Sequence, residues 1–394
     1  MNIGIFTDTY TPEINGVVTS LTSFASEFRR RGHLVSIFAP NHSIHSTHNP
    51  SEGIWQFPSV RFGFDKQTRL VLPFFSTAMI PELSLDIIHT QTPSTLGLWG
   101  IHVGKKFHIP LVHTYHTFFE EYVHYVPFLP AQLLKKLVIW GTRKFVPKHD
   151  GVVVPSHGMK EKLEGYGIAT PIAVIPTGVS TEKIRALAAQ EDPESILKAF
   201  GIAPGAPFLI TTGRLGKEKN LDFIIESFAV LRKKHSSVKL LIAGDGPERG
   251  RLESKTQKLG IGRDVIFLGF LHQAKLLAIY KAASIFVFGS LTETQGLVIL
   301  EAMAMGLPVV ALQGMGVEDV LGKNRGGVMV NNTESFVHSV SELLGSDRLR
   351  QKKHLEALEK AREYSIENTT NQLLSFYEST IGLKKYKTGN AASK

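Results

Sequence analysis

Residues 289–312 read GSLTETQGLVILEAMAMGLPVVAL, and their order decides the fold. The four residues just before them, Ile285, Phe286, Val287 and Phe288, form a short apolar run. That is the pattern of a strand buried on both faces of a parallel sheet. Residues 289–295 are polar and rich in turn formers. Residues 297–305 carry helical periodicity, with an expected buried face of Leu297, Leu300 and Ala304 beside Val298, Ala302 and Met305. Gly306 ends the helix and Pro308 opens the next strand. The unit is therefore strand, loop, helix, strand. Glu293 lies in its loop, and Glu301 lies eight residues later, inside the helix.

Loops at the carboxyl ends of strands are where open parallel sheets bind ligands. The backbone N–H groups of Thr294, Gln295 and Gly296 are expected to open the helix without intrahelical partners, which suits an anion. Carboxylates accept hydrogen bonds from hydroxyls, often two at once. An anion cradle beside two hydroxyl acceptors fits a nucleotide sugar, with its sugar, diphosphate and ribose. For a single Glu, a solvated surface charge is the simpler reading. The whole string favours the site, because Glu301 falls in an apolar helix where an unpaired charge is costly.

The string Glu293-Thr-Gln-Gly-Leu-Val-Ile-Leu-Glu301, followed by Ala-Met-Ala and Gly-Leu-Pro-Val-Val, resembles a known signature. Retaining glycosyltransferases of the GT-B fold carry Glu, seven residues, Glu at this place. Their large family, glycosyltransferase family 4, includes phosphatidylinositol mannosyltransferases and sucrose synthases. Gln295 departs from the Phe of many members. The TETQGL wording resembles members that glucosylate diacylglycerol.

A chain of 394 residues exceeds one ordinary core, and two domains are expected. Hydrophobic content of 43% is that of a packed globular protein. With no cysteine, neither disulfides nor Cys-ligated metals can form. No apolar run approaches the roughly 20 residues that span a bilayer. The opening Met-Asn-Ile-Gly-Ile-Phe reads as a strand and not as a signal sequence. The expected location is the cytoplasm, with peripheral attachment to the inner face of the membrane. A net charge of +9 favours anionic partners.

In chain order, 3–7 is a strand, 16–31 a helix with Val17, Leu21, Phe24 and Phe28 at helical spacing, and 34–39 a strand. This Rossmann-type start lacks G-x-G-x-x-G, which disfavours a dinucleotide cofactor. By the resemblance, Gly16 lies near the donor phosphate. His42, His45 and His48 sit in a polar loop without partner carboxylates, so no metal site is expected there. Strands are expected at 85–89 and 111–114, with a helix at 92–107 between them. His113-Thr-Tyr-His116-Thr then follows a strand end. A histidine there could bond a sugar or an acceptor oxygen, or be satisfied by local backbone. The resemblance selects His116, after Thr114 and Tyr115. The wider HTYHT…EEYVHY wording again resembles glucosyldiacylglycerol synthases.

Residues 130–148 read as a basic amphipathic helix. Leu133, Leu134, Leu137, Val138, Trp140 and Phe145 share one half of the wheel. Lys135, Lys136 and Arg143 lie opposite, with Lys144 an exception. Between Ala131 and His149 there are five Lys or Arg and no acid. The pattern fits a membrane-surface element, or an ordinary helix with a solvated basic face. A lipid acceptor favours the first. Ser156 is a candidate helix cap, and 172–175 is the last strand of the first half. Residues 176–179, Pro-Thr-Gly-Val, are the candidate linker.

The second half continues with strands at 208–212, 238–243, 265–268, 285–288 and 308–311, and with helices at 221–235 and up to Gly260. Such alternation means a second doubly wound domain. The chain after Ser335 is helical, with a last helix over 366–381. The expected domains are thus 1–177, 178–365 and a returning segment, 366–394. Gly213-Arg214-Leu-Gly-Lys-Glu-Lys219-Asn220 follows a strand end. Arg forks onto phosphate oxygens and Lys adds a mobile charge. The resemblance to the family's G-R-L…K pattern assigns both cations to the leaving diphosphate.

The resemblance implies two Rossmann-like domains facing across a cleft and a retaining hexosyl transfer from a nucleotide sugar such as UDP-glucose. Glu293 would hold the donor sugar, Glu301 the ribose, and His116 the donor sugar and acceptor. No cofactor and no metal are expected, because two cations do a metal's work. Diacylglycerol is the expected acceptor, on an anionic membrane surface. A soluble sugar, a polyprenyl-linked or a phosphatidylinositol acceptor is the alternative. A glycoside hydrolase is disfavoured: eight helical residues span about 12 Å, beyond the roughly 5–9.5 Å between hydrolase carboxylates. A non-catalytic basic binding protein would show gaps among the charged motifs, which are instead complete. No nucleic-acid motif is recognisable.

Overall fold

The computed structural model describes residues 1–13, 15–41, 47–49, 52–61, 69–72, 76–118, 120 and 130–392, with the backbone alone at 61 and 387–392. They divide into two compact units. One comprises Met1–Gly178 with Ile366–Lys394, the other Val179–Ser365. The chain thus passes between units once inside the 176–179 segment, and again before its last helix.

The first unit is built on strands β1 (Asn2–Phe6), β2 (Leu34–Asn41), β3 (Thr47–Asn49), β4 (Ile54–Arg61), β5 (Arg69–Val71), β6 (Ile87–Thr90), β7 (Leu111–Thr114), β8 (Gly151–Val154) and β9 (Ile172–Val174). Their order is β3-β4-β2-β1-β6-β7-β8-β9, with β5 on β4. Pairing is parallel except for β3 and β5, which run antiparallel to β4. Helices α1 (Gly16–Arg30), α2 (Thr95–Lys106), α3 (Ala131–Phe145) and α4 (His157–Gly165) connect the strands.

Alternation along β1 divides the core between the two faces of the sheet. Ile3 and Ile5 pack with Leu21 and Phe28 of α1. Phe6 packs on the other face with Phe38, Ile88 and Trp99. There Phe6 stacks on Phe38 at 4.3 Å, and Trp99 meets both edge-on at 5.2 and 5.4 Å. Such ring pairs contribute about 0.5–1.5 kcal/mol each beyond burial.

The second unit begins with α5 (Thr181–Ala188) and α6 (Pro193–Ala199). It continues β10 (Phe208–Thr212), α7 (Leu221–Arg232), β11 (Lys239–Ala243), α8 (Arg249–Lys258), β12 (Val265–Gly269), α9 (Gln273–Ala282), β13 (Ile285–Phe288), α10 (Leu297–Ala304), β14 (Val309–Leu312), α11 (Met315–Leu321), β15 (Gly327–Val330), α12 (Thr333–Gly345) and α13 (Asp347–Glu363). Its sheet is wholly parallel, in the order β12-β11-β10-β13-β14-β15. Phe208 and Ile210 of β10 face the layer that holds α9 and α10. Leu209 faces α7 and α12 on the other side. This is a doubly wound α/β unit, as the alternation in the sequence implied.

Helix α14 (Ile366–Ala392) belongs to the first unit and extends well past residue 381. Tyr377 lies 5.9 Å from Phe28. The Arg31 guanidinium donates to the Glu367 carbonyl at 2.9 Å and also bonds Asn371. Gly151 lets α14 approach β8, since a Cβ there would meet the Phe376 ring at 2.7 Å.

Several expectations are corrected. The buried surface of α10 includes Ile299 and Met303, both fully buried, whereas Leu297, Val298 and Met305 are only partly covered. The helix is enclosed nearly all round, so an amphipathic stripe describes it poorly. Strands β3, β4, β5 and β15 and helices α5, α6 and α9 were not anticipated. The helix expected over 92–107 starts at Thr95, and the one over 130–148 ends at Phe145 in a short 3-10 turn, Val146–Lys148. Ser156 stands at the capping position of α4, but its side chain makes no cap bond. His42 and His45 lie outside the described residues, as does the 121–125 portion of the EEYVHY string. His48 stacks on Trp55 with ring centres 3.4 Å apart.

Candidate functional site

In the second unit, adjacent strands β10 and β13 end side by side and feed two loops tied to each other. The loop after β10 begins at Gly213, whose φ of +142° suits glycine, and its N–H donates to the Ala243 carbonyl at 3.1 Å. Leu215 N–H donates to the Asp245 carbonyl at 2.9 Å, which anchors the loop to the turn after β11. Asn220 adopts a left-handed conformation, φ +49°, just before α7. Its amide donates to the Gly289 carbonyl at 3.1 Å, and the Ser290 hydroxyl donates to the Glu218 carbonyl at 3.0 Å. Gly289 permits this approach, because a Cβ there would meet the Asn220 carbonyl oxygen at 2.8 Å.

The two loops bring Lys219 and Glu293 together as a partly buried ion pair. Arg214 remains 45% exposed, with its Nε 3.8 Å from the Glu218 carboxylate. Gly296 precedes α10 with φ +76°, and Gln295 is buried beside it. Helix α10 begins at Leu297, so Thr294, Gln295 and Gly296 precede the helix and do not form its first turn. The Glu293 carbonyl accepts from Gly316 N–H at 3.0 Å, at a glycine where a Cβ would meet the Gln295 nitrogen at 2.6 Å. The polypeptide of the Glu293 loop is therefore held from both sides before any ligand arrives.

Glu301 projects from the middle of α10. Its carboxyl accepts from the Gln273 side chain at 3.4 Å, a long bond. The residue is only partly covered in surface terms, yet the apolar surroundings of the helix press on the charged form, and burial pushes its pKa up to about 7. Gln273 opens α9, just after Phe270, which is 60% exposed at the carboxyl end of β12. Arg214, Lys219, Glu293 and Glu301 thus stand at one end of one sheet. The arrangement offers cations for an anion and carboxylates for hydroxyls.

His116 and Gly16 lie in the first unit, both after strands at the carboxyl end of its sheet. His116 Nε2–H donates to the Gln91 side-chain oxygen at 2.7 Å. Burial lowers its pKa to about 4, so the ring is neutral at physiological pH and its Nδ1 is a hydrogen-bond acceptor. Gly16 opens α1 behind Asn15, whose side chain accepts from Val18 N–H at 3.0 Å. Nothing lies within 4 Å of a Cβ built at Gly16, so packing does not require glycine there.

Helix α3 divides its apolar residues. Phe145 and Thr142 are buried and Leu134 and Val138 partly so, while Leu133, Leu137 and Trp140 are 46, 50 and 62% exposed. Positions 133, 137, 140 and 144 lie on one stripe, so Lys144 caps the exposed apolar row. Lys135 and Lys136 are exposed as well. Arg143 is engaged within its own unit, donating from Nε to the Tyr166 carbonyl at 2.7 Å. Among the described residues no helix is long and apolar enough to cross a membrane.

Sequence reasoning missed Gln273, Phe270 and Ser290. They approach the site through pairing of distant segments, which no local pattern signals. Asn220 was legible only as a turn former before a helix.

Residues 192–364 match the family profile described as glycosyl transferases group 1, and residues 14–183 match glycosyltransferase family 4. The chain is 34% identical to an alpha-monoglucosyldiacylglycerol synthase of Streptococcus pneumoniae, over 97% of this chain and 86% of the relative. It is 28% identical to the protein of the same name from Acholeplasma laidlawii, over 86% of each. The crystal structure of Anabaena HepE with UDP and glucose superposes with a TM-score of 0.73, covering 96% of this chain and 99% of that one at 17% identity. WaaG, a glycosyltransferase involved in lipopolysaccharide biosynthesis, gives 0.68 over 95 and 99% at 16% identity.

Proposed function

Because the chain belongs to glycosyltransferase family 4 and has the GT-B fold, we propose that it transfers a hexose, glucose from UDP-glucose, to diacylglycerol with retention of anomeric configuration. The observation that carries this reading is the convergence of Arg214, Lys219, Glu293 and Glu301 at the carboxyl end of the second sheet. The family relationship makes the chain a hexosyltransferase, and the named activity of its relatives supports a lipid acceptor.

In this mechanism Lys219 leaves Glu293 when the donor enters and turns to the diphosphate. Arg214 joins it, and together they stabilise the charge that grows as the sugar–phosphate bond breaks. Glu293, released, accepts from the donor sugar's hydroxyls, and Glu301 accepts from the ribose. The exposed Phe270 face gives the base an apolar surface. His116 receives a hydroxyl hydrogen bond at Nδ1. Arg214 and Lys219 supply leaving-group charge stabilisation without a metal. The Leu133–Leu137–Trp140 row of α3, edged by lysines, docks on an anionic membrane surface where the acceptor resides.

The test is to incubate the protein with labelled UDP-glucose or GDP-mannose and diacylglycerol in anionic mixed micelles, then separate the lipids. One glucosylated lipid with an α-anomeric proton by NMR is expected. A β-anomer would remove the retaining mechanism. Label confined to water-soluble products would remove the lipid acceptor.

A further inference from the structure

At the opposite end of the second sheet from Glu293, a cleft of about 810 Å³ opens where Ser284 leads into β13 and Pro308 into β14. Its volume lies in the range of small-molecule sites. Three cations line it, Arg185 of α5, Lys281 of α9 and Arg350 of α13, together with His354 of α13. The single acid in the lining is Asp347, which pairs with Arg350.

Two features distinguish this lining from an ordinary basic surface. Among the described residues Arg185 and Lys281 make no hydrogen bond or ion pair, whereas Arg251, Lys255 and Arg325 of the same unit are all paired with carboxylates. Arg350 and His354 are also set in place. The Arg350 guanidinium donates to the Leu343 and Leu344 carbonyls at 2.6 and 2.8 Å. His354 Nδ1 donates to the Gly306 carbonyl at 2.8 Å, which fixes the ring and leaves Nε2 on its other side. Arg350 and His354 are held by the fold, and the exposed Arg185 and Lys281 can turn onto a compact anion that enters the same concavity. Part of the remaining wall is apolar, with Ala188, Met305, Leu307 and Leu358, and suits an organic body joined to that anion, beside the polar Ser284 and Gln351.

We propose that this cleft is a second anion site, which takes a phosphate monoester independently of the donor site. Met305 places a methyl group in its wall, and the chain has seven methionines, so a methyl-labelled sample reports on the cleft directly. The full-length protein, labelled at methionine methyls, is titrated with inorganic phosphate and with glycerol 1-phosphate at constant ionic strength. A saturable shift of the Met305 resonance is expected. Arg185→Ala with Lys281→Ala should weaken it at least tenfold, and a control pair of exposed lysines, Lys183→Ala with Lys258→Ala, should leave it unchanged. Tighter binding of glycerol 1-phosphate would identify a lipid headgroup as the source, and equal binding a free phosphate. A Met305 signal that does not move, or equal affinity in the Arg185/Lys281 variant, would overturn the proposal.

Discussion

Lys219 and Glu293 neutralise each other, so each is held at the proposed donor site without an unpaired buried charge. Removing the ammonium leaves Glu293 to repel the incoming diphosphate. Arg214→Ala and Lys219→Ala are each expected to lower kcat/KM by about 2–4 kcal/mol equivalent. Near-normal kinetics in either would remove the leaving-group role. Glu301 makes a second case. Its pKa of about 7 lies above the unfolded value of 4.5. The native state therefore holds the extra proton, and stability falls as pH rises through that window. Glu301→Gln should stabilise the unliganded protein at pH 8 by about 1–3 kcal/mol while weakening donor binding. Urea unfolding and donor affinity, measured side by side, check both halves. A variant that is destabilised, or that binds donor normally, would contradict the assignment. At this scale the sequence was informative: motif spacing marked Arg214, Lys219, Glu293 and Glu301. It could not show that Lys219 rests on Glu293, because that pair is made by two loops 74 residues apart.

Among elements, α3 separates what periodicity can and cannot reveal. Periodicity identified an apolar half-wheel, but not which part of it the sheet would cover. The structure covers Phe145 and leaves Leu133, Leu137 and Trp140 exposed, which adds apolar insertion to charge in the proposed membrane docking. Arg143 is better left intact, since it fastens the helix to the Tyr166 carbonyl. Replacing Lys135, Lys136 and Lys144 by Ser should remove about 3 kcal/mol of attraction to an anionic surface before screening. Leu137→Ser with Trp140→Ser should instead abolish the binding that survives high salt. Vesicle co-sedimentation distinguishes the two. Wild-type sedimentation of both variants would make α3 an ordinary surface helix. The strands missed in the sequence have related causes. Strands β3, β4 and β5 interrupt their apolar pattern with His, Pro and Arg at a sheet edge, and β15 is a four-residue run that opens on glycine.

For the whole molecule, the first unit is built around neutral histidines. His89 bonds the Tyr377 hydroxyl of α14 at 2.5 Å and Thr114 at 2.6 Å. His113 and His149 share the Thr90 hydroxyl at 2.8 and 3.0 Å. Burial lowers His89 to about 3, His116 and His149 to about 4, and His113 well below its ordinary value. The unfolded chain takes up protons below about pH 6.5 and the native one does not, so stability falls from there toward pH 4. At pH 5 each ring costs about 2 kcal/mol. Glu301 acts in the opposite direction over the same range, so the comparison is cleanest in the Glu301→Gln background. Unchanged urea stability between pH 7 and pH 5 would contradict it. Two-unit architecture was legible from alternating strands and helices. The histidine core was not, since His89, His113, His116 and His149 meet only after β6, β7 and the α3 segment assemble. The most direct test of the central claim is a time course of lipid product with UDP-glucose, diacylglycerol and anionic micelles in excess EDTA, with wild type beside Lys219→Ala. Wild type should form glucosyldiacylglycerol, and the variant should form it roughly 30- to 1000-fold more slowly. No lipid product from wild type, or equal rates from both proteins, would contradict the account.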